Sequence, residues 1–159
     1  MNKTAIIAVS LVLLAVAGVF AFQSKGAPTL VVYKNASCGC CGSWIDHMKA
    51  AGYTVEVHDV DDLNSIKQQN NVAGNLSSCH TAIIDGYVVE GHVPAEDVTR
   101  MLAERPAILG LSVPGMPIGS PGMEQGSPAD YQAYDVVTFD GSGATAVYRS
   151  VAGGANSRP

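Results

Sequence analysis

The chain has 159 residues, with nine Lys or Arg against fourteen Asp or Glu and a formal net charge of −5. A surface of this sign has no basic field to gather phosphates, so it excludes nucleic acid as an expected partner and suits a cation instead. Hydrophobic residues make up 47% and charged ones 14%, but the imbalance is concentrated at the N-terminus and leaves about 135 residues, the usual size of one domain with a single core.

Lys3, the uncharged run Ala5 to Phe22, and then Gln23, Ser24 and Lys25 read as a secretory signal with a positive n-region and an apolar h-region. The expected location is outside the cytoplasm. Val19-Phe20-Ala21 offers small residues to a signal peptidase, while the 18-residue run is also long enough to remain as an anchor. Residues 1–22 are therefore assigned to a signal peptide or N-terminal membrane anchor, and membrane contact is expected only through that segment if it stays uncleaved. No cysteine stands directly after the run, where Gln23, Ser24 and Lys25 lie, so the usual bacterial lipoprotein anchor is not expected.

Leu30 to Tyr33 is a short apolar run rich in β-branched residues, reading as a buried strand that feeds a loop at Asn35-Ala36-Ser37. From Gly42, the apolar residues Trp44, Ile45, Met48 and Ala51 recur at helical spacing until Gly52, so a helix begins at the cysteines. Thr54 to Val60 alternates as a second strand, and Asp61-Asp62 cap a helix through Leu63, Ile66 and Lys67. Cys79 to Ile84 is a third strand, Asp85-Gly86 a hairpin turn, and Tyr87 to Glu90 the returning strand. Pro94 opens a helix whose stripe is Val98, Met101 and Leu102. Pro106 to Asp130 carries five of the eight prolines and no helical period, so it reads as a long Pro/Gly-rich loop. Tyr134 to Phe139 and Ala144 to Tyr148, joined by Asp140-Gly141-Ser142-Gly143, form a C-terminal hairpin, and residues 150–159 a flexible tail.

All four cysteines, Cys38, Cys40, Cys41 and Cys79, follow the apolar run. Two structural disulfides are the default after export. Against that default, a bridge between neighbours is strained and a staple within Cys38 to Cys41 closes too short a loop to stabilise much, so the clustering looks chemical. A strand, then Cys38-Gly39-Cys40-Cys41, then a helix is the thioredoxin arrangement, in which the Cys38/Cys41 pair meets a helix N-terminus whose positive end favours thiolate. The fold class expected is accordingly α/β, a thioredoxin-like three-layer sandwich over 29–149 with the long loop and C-terminal hairpin added. In that fold a cis-proline precedes the third strand beside the active-site sulfurs, and here Cys79 or His80 stands there, which brings the fourth cysteine to the first three. Four convergent sulfurs exceed what disulfide exchange needs and suit a soft ion. Adjacent Cys40 and Cys41 are awkward ligands for one tetrahedral ion, whereas bridging thiolates hold several Cu(I) ions. His80, Met116 and Met123 are the obvious further suppliers, and His92 a possible one.

Each candidate has a duller reading. Cys38 and Cys41 form an ordinary redox pair in many proteins, Cys79 alone would be a small core residue, and His92 a satisfied loop histidine. His47 reads as a solvent-facing helix residue with some claim to support the site, and His58 as structural. Met48 and Met101 fall on apolar helical faces, where packing explains them, and Trp44 as core or site lining. No phosphate loop, His-Glu-x-x-His pattern or serine elbow is present.

Cys-Gly-Cys-Cys-Gly-x-Trp, the block Ser78-Cys79-His80-Thr81 with Gly86 to Pro94, and Gly110-Leu-x-Val-Pro-Gly-Met-Pro-x-Gly-Ser-Pro-Gly-Met123 together resemble the exported CopG-type copper-resistance family, over roughly Thr29 to Tyr148. The resemblance implies a periplasmic thioredoxin-like protein of copper homeostasis that binds copper through Cys38, Cys40, Cys41 and Cys79, with His80, His92, Met116 and Met123 as further motif residues. The expectation is a monomer that holds Cu(I), possible partners being other periplasmic copper-handling proteins, with metal loading linked to a Cys38–Cys41 or Cys79-containing disulfide. A thiol-disulfide oxidoreductase or a copper oxidoreductase built on the Cys38/Cys41 pair is the alternative.

Overall fold

The computed structural model describes residues 28–154. The signal or anchor assignment and the end of the tail fall outside the described residues. The remainder is a mixed α/β fold with a seven-stranded sheet and three helices: β1 Leu30–Lys34, α1 Gly39–Ala50, β2 Val55–Asp59, α2 Leu63–Gln69, β3 His80–Ile84, β4 Tyr87–Glu90, α3 Ala95–Glu104, β5 Gly110–Ser112, β6 Tyr134–Phe139 and β7 Thr145–Val151. Two 3-10 turns lie between them, at Gly74–Leu76 and Pro128–Asp130.

The sheet order is β2-β1-β3-β4-β5-β6-β7. β1 runs parallel to β2 and antiparallel to β3, with Val32 facing Val57 on one side and Ala82 on the other. The β3–β4 hairpin forms as the sequence predicts, because Asp85 and Gly86 both adopt the positive φ that a tight two-residue turn requires. The period-two alternation of the strands divides the interior in two. Leu30, Val32, Ala82, Ile84, Val89 and Leu111 face α1 and α3, where Trp44, Ile45, Met48, Val98 and Met101 complete the larger core. Val88 and Phe139 face the other way and pack with Val72 and Leu76, beyond the end of α2.

Three boundaries differ from the sequence reading. The third strand starts at His80, so Cys79 belongs to the turn before it. The segment Pro106 to Asp130 contains a buried strand, β5, paired parallel to β4 and antiparallel to β6. Three residues that begin with glycine and do not alternate carry no strand signal of their own; the pairing on both sides makes the strand. β7 continues to Val151, and Gly154 N–H donates to the Tyr131 carbonyl, so the stretch read as tail begins as sheet.

Candidate metal centre

Cys38 is the residue before α1, and Cys40 and Cys41 lie in its first turn, where the free N–H groups concentrate positive potential. Apolar Trp44, Ile45 and Met48 are buried and seat the helix on the sheet, and its first turn meets the Cys79 turn just before β3. Cys38 and Cys41 form a disulfide with Cα atoms 5.4 Å apart, while Cys40 and Cys79 are free and partly buried. Cys79 Sγ lies 3.5 Å from Cys41 Sγ and 3.9 Å from Cys40 Sγ, and Cys40 Sγ lies 3.6 Å from Cys38 Sγ. The four sulfurs therefore fall within 4.8 Å of one another.

Two histidines extend the cluster. His92 Nδ1 is 2.7 Å from the Pro121 carbonyl, which can only accept, so Nδ1 carries the proton and Nε2 presents a lone pair to Cys79 Sγ at 3.0 Å. His80 Nδ1 is 3.4 Å from the same sulfur. The His80 ring packs against Trp44, tilted by 41° at a centroid distance of 4.3 Å, and meets His92 edge-on at 5.1 Å. Trp44 is held in turn by its indole N–H, which donates to the Val93 carbonyl at 2.8 Å. Cys79, His80 and His92 offer a second set of donor atoms within 4.8 Å, sharing one sulfur with the first.

The electrostatics keep these groups neutral when no metal is bound. Burial, with the nearby Cys40 adding to it, pushes the Cys79 thiol from 9.0 up to about 12. Burial first, then the charges of His92 and Lys67, holds His80 well below 6.5, and burial lowers His92. His80 Nε2 is buried with no hydrogen-bond partner among the described residues. An orphaned imidazole nitrogen is costly, and the neutral imidazoles of His80 and His92 at the Cys79 sulfur, next to three further sulfurs, make a donor set that fits a soft metal ion.

The loop after β5 closes the site. Gly122 has a φ of +82, and a Cβ there would meet Trp44 N at 2.5 Å and Cys40 O at 3.0 Å, so only glycine lets the loop lie on the first turn of α1. Met123 is buried, whereas Met116 is 50% exposed, one residue beyond Gly115, whose carbonyl takes the Ser78 hydroxyl. The structure thus gathers the four cysteines, His80 and His92, buries Met123 in the loop and leaves Met116 on the surface. His47 has a different task from the one its sequence suggests: its Nε2 accepts the Ala95 N–H at 3.1 Å and caps α3. His58 is exposed, paired with Glu56 and stacked on Tyr33.

Sequence reasoning missed the supports under Cys79. Ser78 N–H donates to Glu90 Oε1 at 2.6 Å, and Glu90 is fully buried against Lys67 and Thr81. The signal was present as a carboxylate ending an otherwise apolar strand, which in a two-sided sheet has to be buried.

A family model described as a protein of unknown function, DUF411, matches residues 76–123. The comparison with curated proteins finds no match. Two solved structures titled copper resistance protein CopG are each 43% identical to the chain. Form 2 aligns over 79% of this chain and 98% of its own with a TM-score of 0.74, and form 1 over 80% and 100% with 0.75.

Proposed function

Because the chain belongs to the CopG copper-resistance family, we propose that it is a periplasmic, monomeric copper-binding protein that holds Cu(I) on Cys38, Cys40, Cys41 and Cys79, with His80 and His92 completing the donor set. The single observation that carries this reading is a pair of overlapping donor sets from three separate segments, the four sulfurs within 4.8 Å of one another and Cys79, His80 and His92 within 4.8 Å of one another, joined at the Cys79 sulfur. Soft sulfur with neutral imidazole selects Cu(I), and more than one ion is favoured because Cys40 and Cys41 bridge better than they chelate. Met123 lies in the loop over the site, and Met116 at the surface suits capture of an incoming ion.

In this reading loading is coupled to thiol redox. The Cys38–Cys41 disulfide withholds two of the four sulfurs; two electrons and two protons convert it to two thiols, and metal then displaces the protons. The β2-β1-β3-β4 order, with β1 parallel to β2 and β3 and β4 antiparallel, supports a thioredoxin-like core to which β5, β6 and β7 are added. Cys79 stands in the turn before β3, where that fold places its cis-proline.

The test is anaerobic reconstitution of the reduced protein with Cu(I) or Zn(II), followed by metal analysis. More than one Cu(I) per chain is expected, with loss of stoichiometry in both Cys40→Ser and Cys79→Ser. The disulfide favours a second reading, a thiol-disulfide oxidoreductase. That reading predicts insulin reduction that requires Cys38 and Cys41 and survives Cys40→Ser and Cys79→Ser, with no tight copper.

A further inference from the structure

The Lys67–Glu90 ion pair lies on the sheet face opposite the helix that carries the clustered cysteines. Lys67 is 5% exposed and Glu90 0%. Taking two charges out of water costs several kcal/mol per ion, and such a pair adds little net stability, so its role lies in what it orients. Glu90 Oε1 accepts from the Lys67 ammonium and from Ser78 N–H at 2.6 Å, and Oε2 from the Thr81 hydroxyl at 2.7 Å; Lys67 also donates to Thr81 Oγ1 at 3.1 Å. The turn receiving this anchor is held on two more sides. Ser78 Oγ donates to the Gly115 carbonyl while Gly115 N–H returns to the Ser77 carbonyl at 3.1 Å. At Gly91, with φ of +71, a Cβ would fall on Ser78 Cβ and Oγ. The next residue along the turn is Cys79, whose sulfur sits 3.5 Å from Cys41 Sγ.

We propose that Glu90, with Lys67 as its counter-ion, is a positioning residue that fixes the Cys79 turn through the Ser78 amide and so holds the fourth sulfur against the cysteines of α1. Its functional meaning rests on the copper reading, but the positioning itself is measurable without metal.

In a Cys38→Ser/Cys40→Ser background only Cys41 and Cys79 remain. Their oxidation by glutathione disulfide, which yields one intramolecular disulfide and two reduced glutathiones, reports the effective concentration of one thiol at the other. A neutral pair, Glu90→Gln/Lys67→Met, retains an acceptor for Ser78 N–H and is expected to stay within about threefold of the parent. Glu90→Leu/Lys67→Met fills the space with apolar atoms but removes the acceptor, and is expected to lower the effective concentration by about tenfold or more, at temperatures far below melting. Equal values in the two double variants overturn the proposal. Should the Leu/Met variant not fold, amide exchange decides: protection at Ser78 in the parent that persists in Glu90→Gln/Lys67→Met supports the anchor, and exchange at Ser78 in the parent as fast as in an unstructured chain overturns it. With all four cysteines present, the Leu/Met change is expected to weaken Cu(I) binding about tenfold. A wild-type protein that takes no Cu(I), while the disulfide equilibrium shifts as expected, refutes the copper reading and leaves the positioning role intact.

Discussion

His80 is buried against Trp44, its Nε2 has no hydrogen-bond partner among the described residues, and its pKa lies well below 6.5 through burial, with His92 and Lys67 adding to it. In the unfolded chain it titrates near 6.5, so on acidification the unfolded state takes up a proton that the folded state refuses. Stability is fully present above that pH and is lost as pH falls, and His92, lowered for the same first reason, adds to the loss. The melting temperature of the metal-free protein is expected to drop between about pH 7 and pH 5, and to drop less steeply in His80→Phe, which keeps an aromatic ring on Trp44. A flat profile in the wild type contradicts this account. At this scale the cysteines were legible because sulfur spacing within four residues limits what geometry can follow. His47 and Glu90 were not, since each acts across the fold: His47 on the Ala95 amide 48 residues away, and Glu90 on Ser78 twelve residues back.

Helices and hairpins were the most legible elements. α1 and α3 carry their own apolar periodicity and α2 its own cap, with the Asp62 side chain accepting from Ser65 N–H as the sequence suggests. β5 was not legible, because a three-residue strand is defined by its two neighbours rather than by its composition. The loop that follows it was recognised as unusual but not as a clasp, since its contact with α1 depends on an absent side chain at Gly122. Gly122→Ala adds left-handed strain and a clash with backbone at Trp44, and is expected to cost about 2–4 kcal/mol. Denaturant unfolding measures this directly. Because Pro121 carries the carbonyl that orients His92, the same variant is expected to loosen copper binding even where it remains folded; an unchanged midpoint and unchanged affinity would show that the loop is not seated on the helix.

The whole molecule joins a β2-β1-β3-β4 unit to three further strands in one sheet, and the site lies where that unit meets the loop between β5 and β6. A ligand held by α1, the Cys79 turn and His92 binds the folded state alone, so loading is expected to raise stability by about 4 kcal/mol when free metal is a thousandfold above its dissociation constant. Calorimetry of the reduced protein with and without Cu(I) tests this, with Cys79→Ser as the control in which the upward shift in melting temperature should largely vanish. The extension of the sheet was only partly visible beforehand: the β6–β7 hairpin was read from its turn, but its attachment through β5 was not.

The separations along the chain also set an order of events as it folds. Cys38 and Cys41 are three residues apart and meet as soon as the first turn of α1 forms, whereas Cys41 finds Cys79 across 38 residues and His92 finds Pro121 across 29. Closing those longer loops waits for β1 to pair with β3 and for β5 to enter the sheet. An oxidant that meets the folding chain therefore encounters a local pair first, which is sealed before the distant sulfur arrives, and of the two free thiols Cys79 is the one that joins the cluster last.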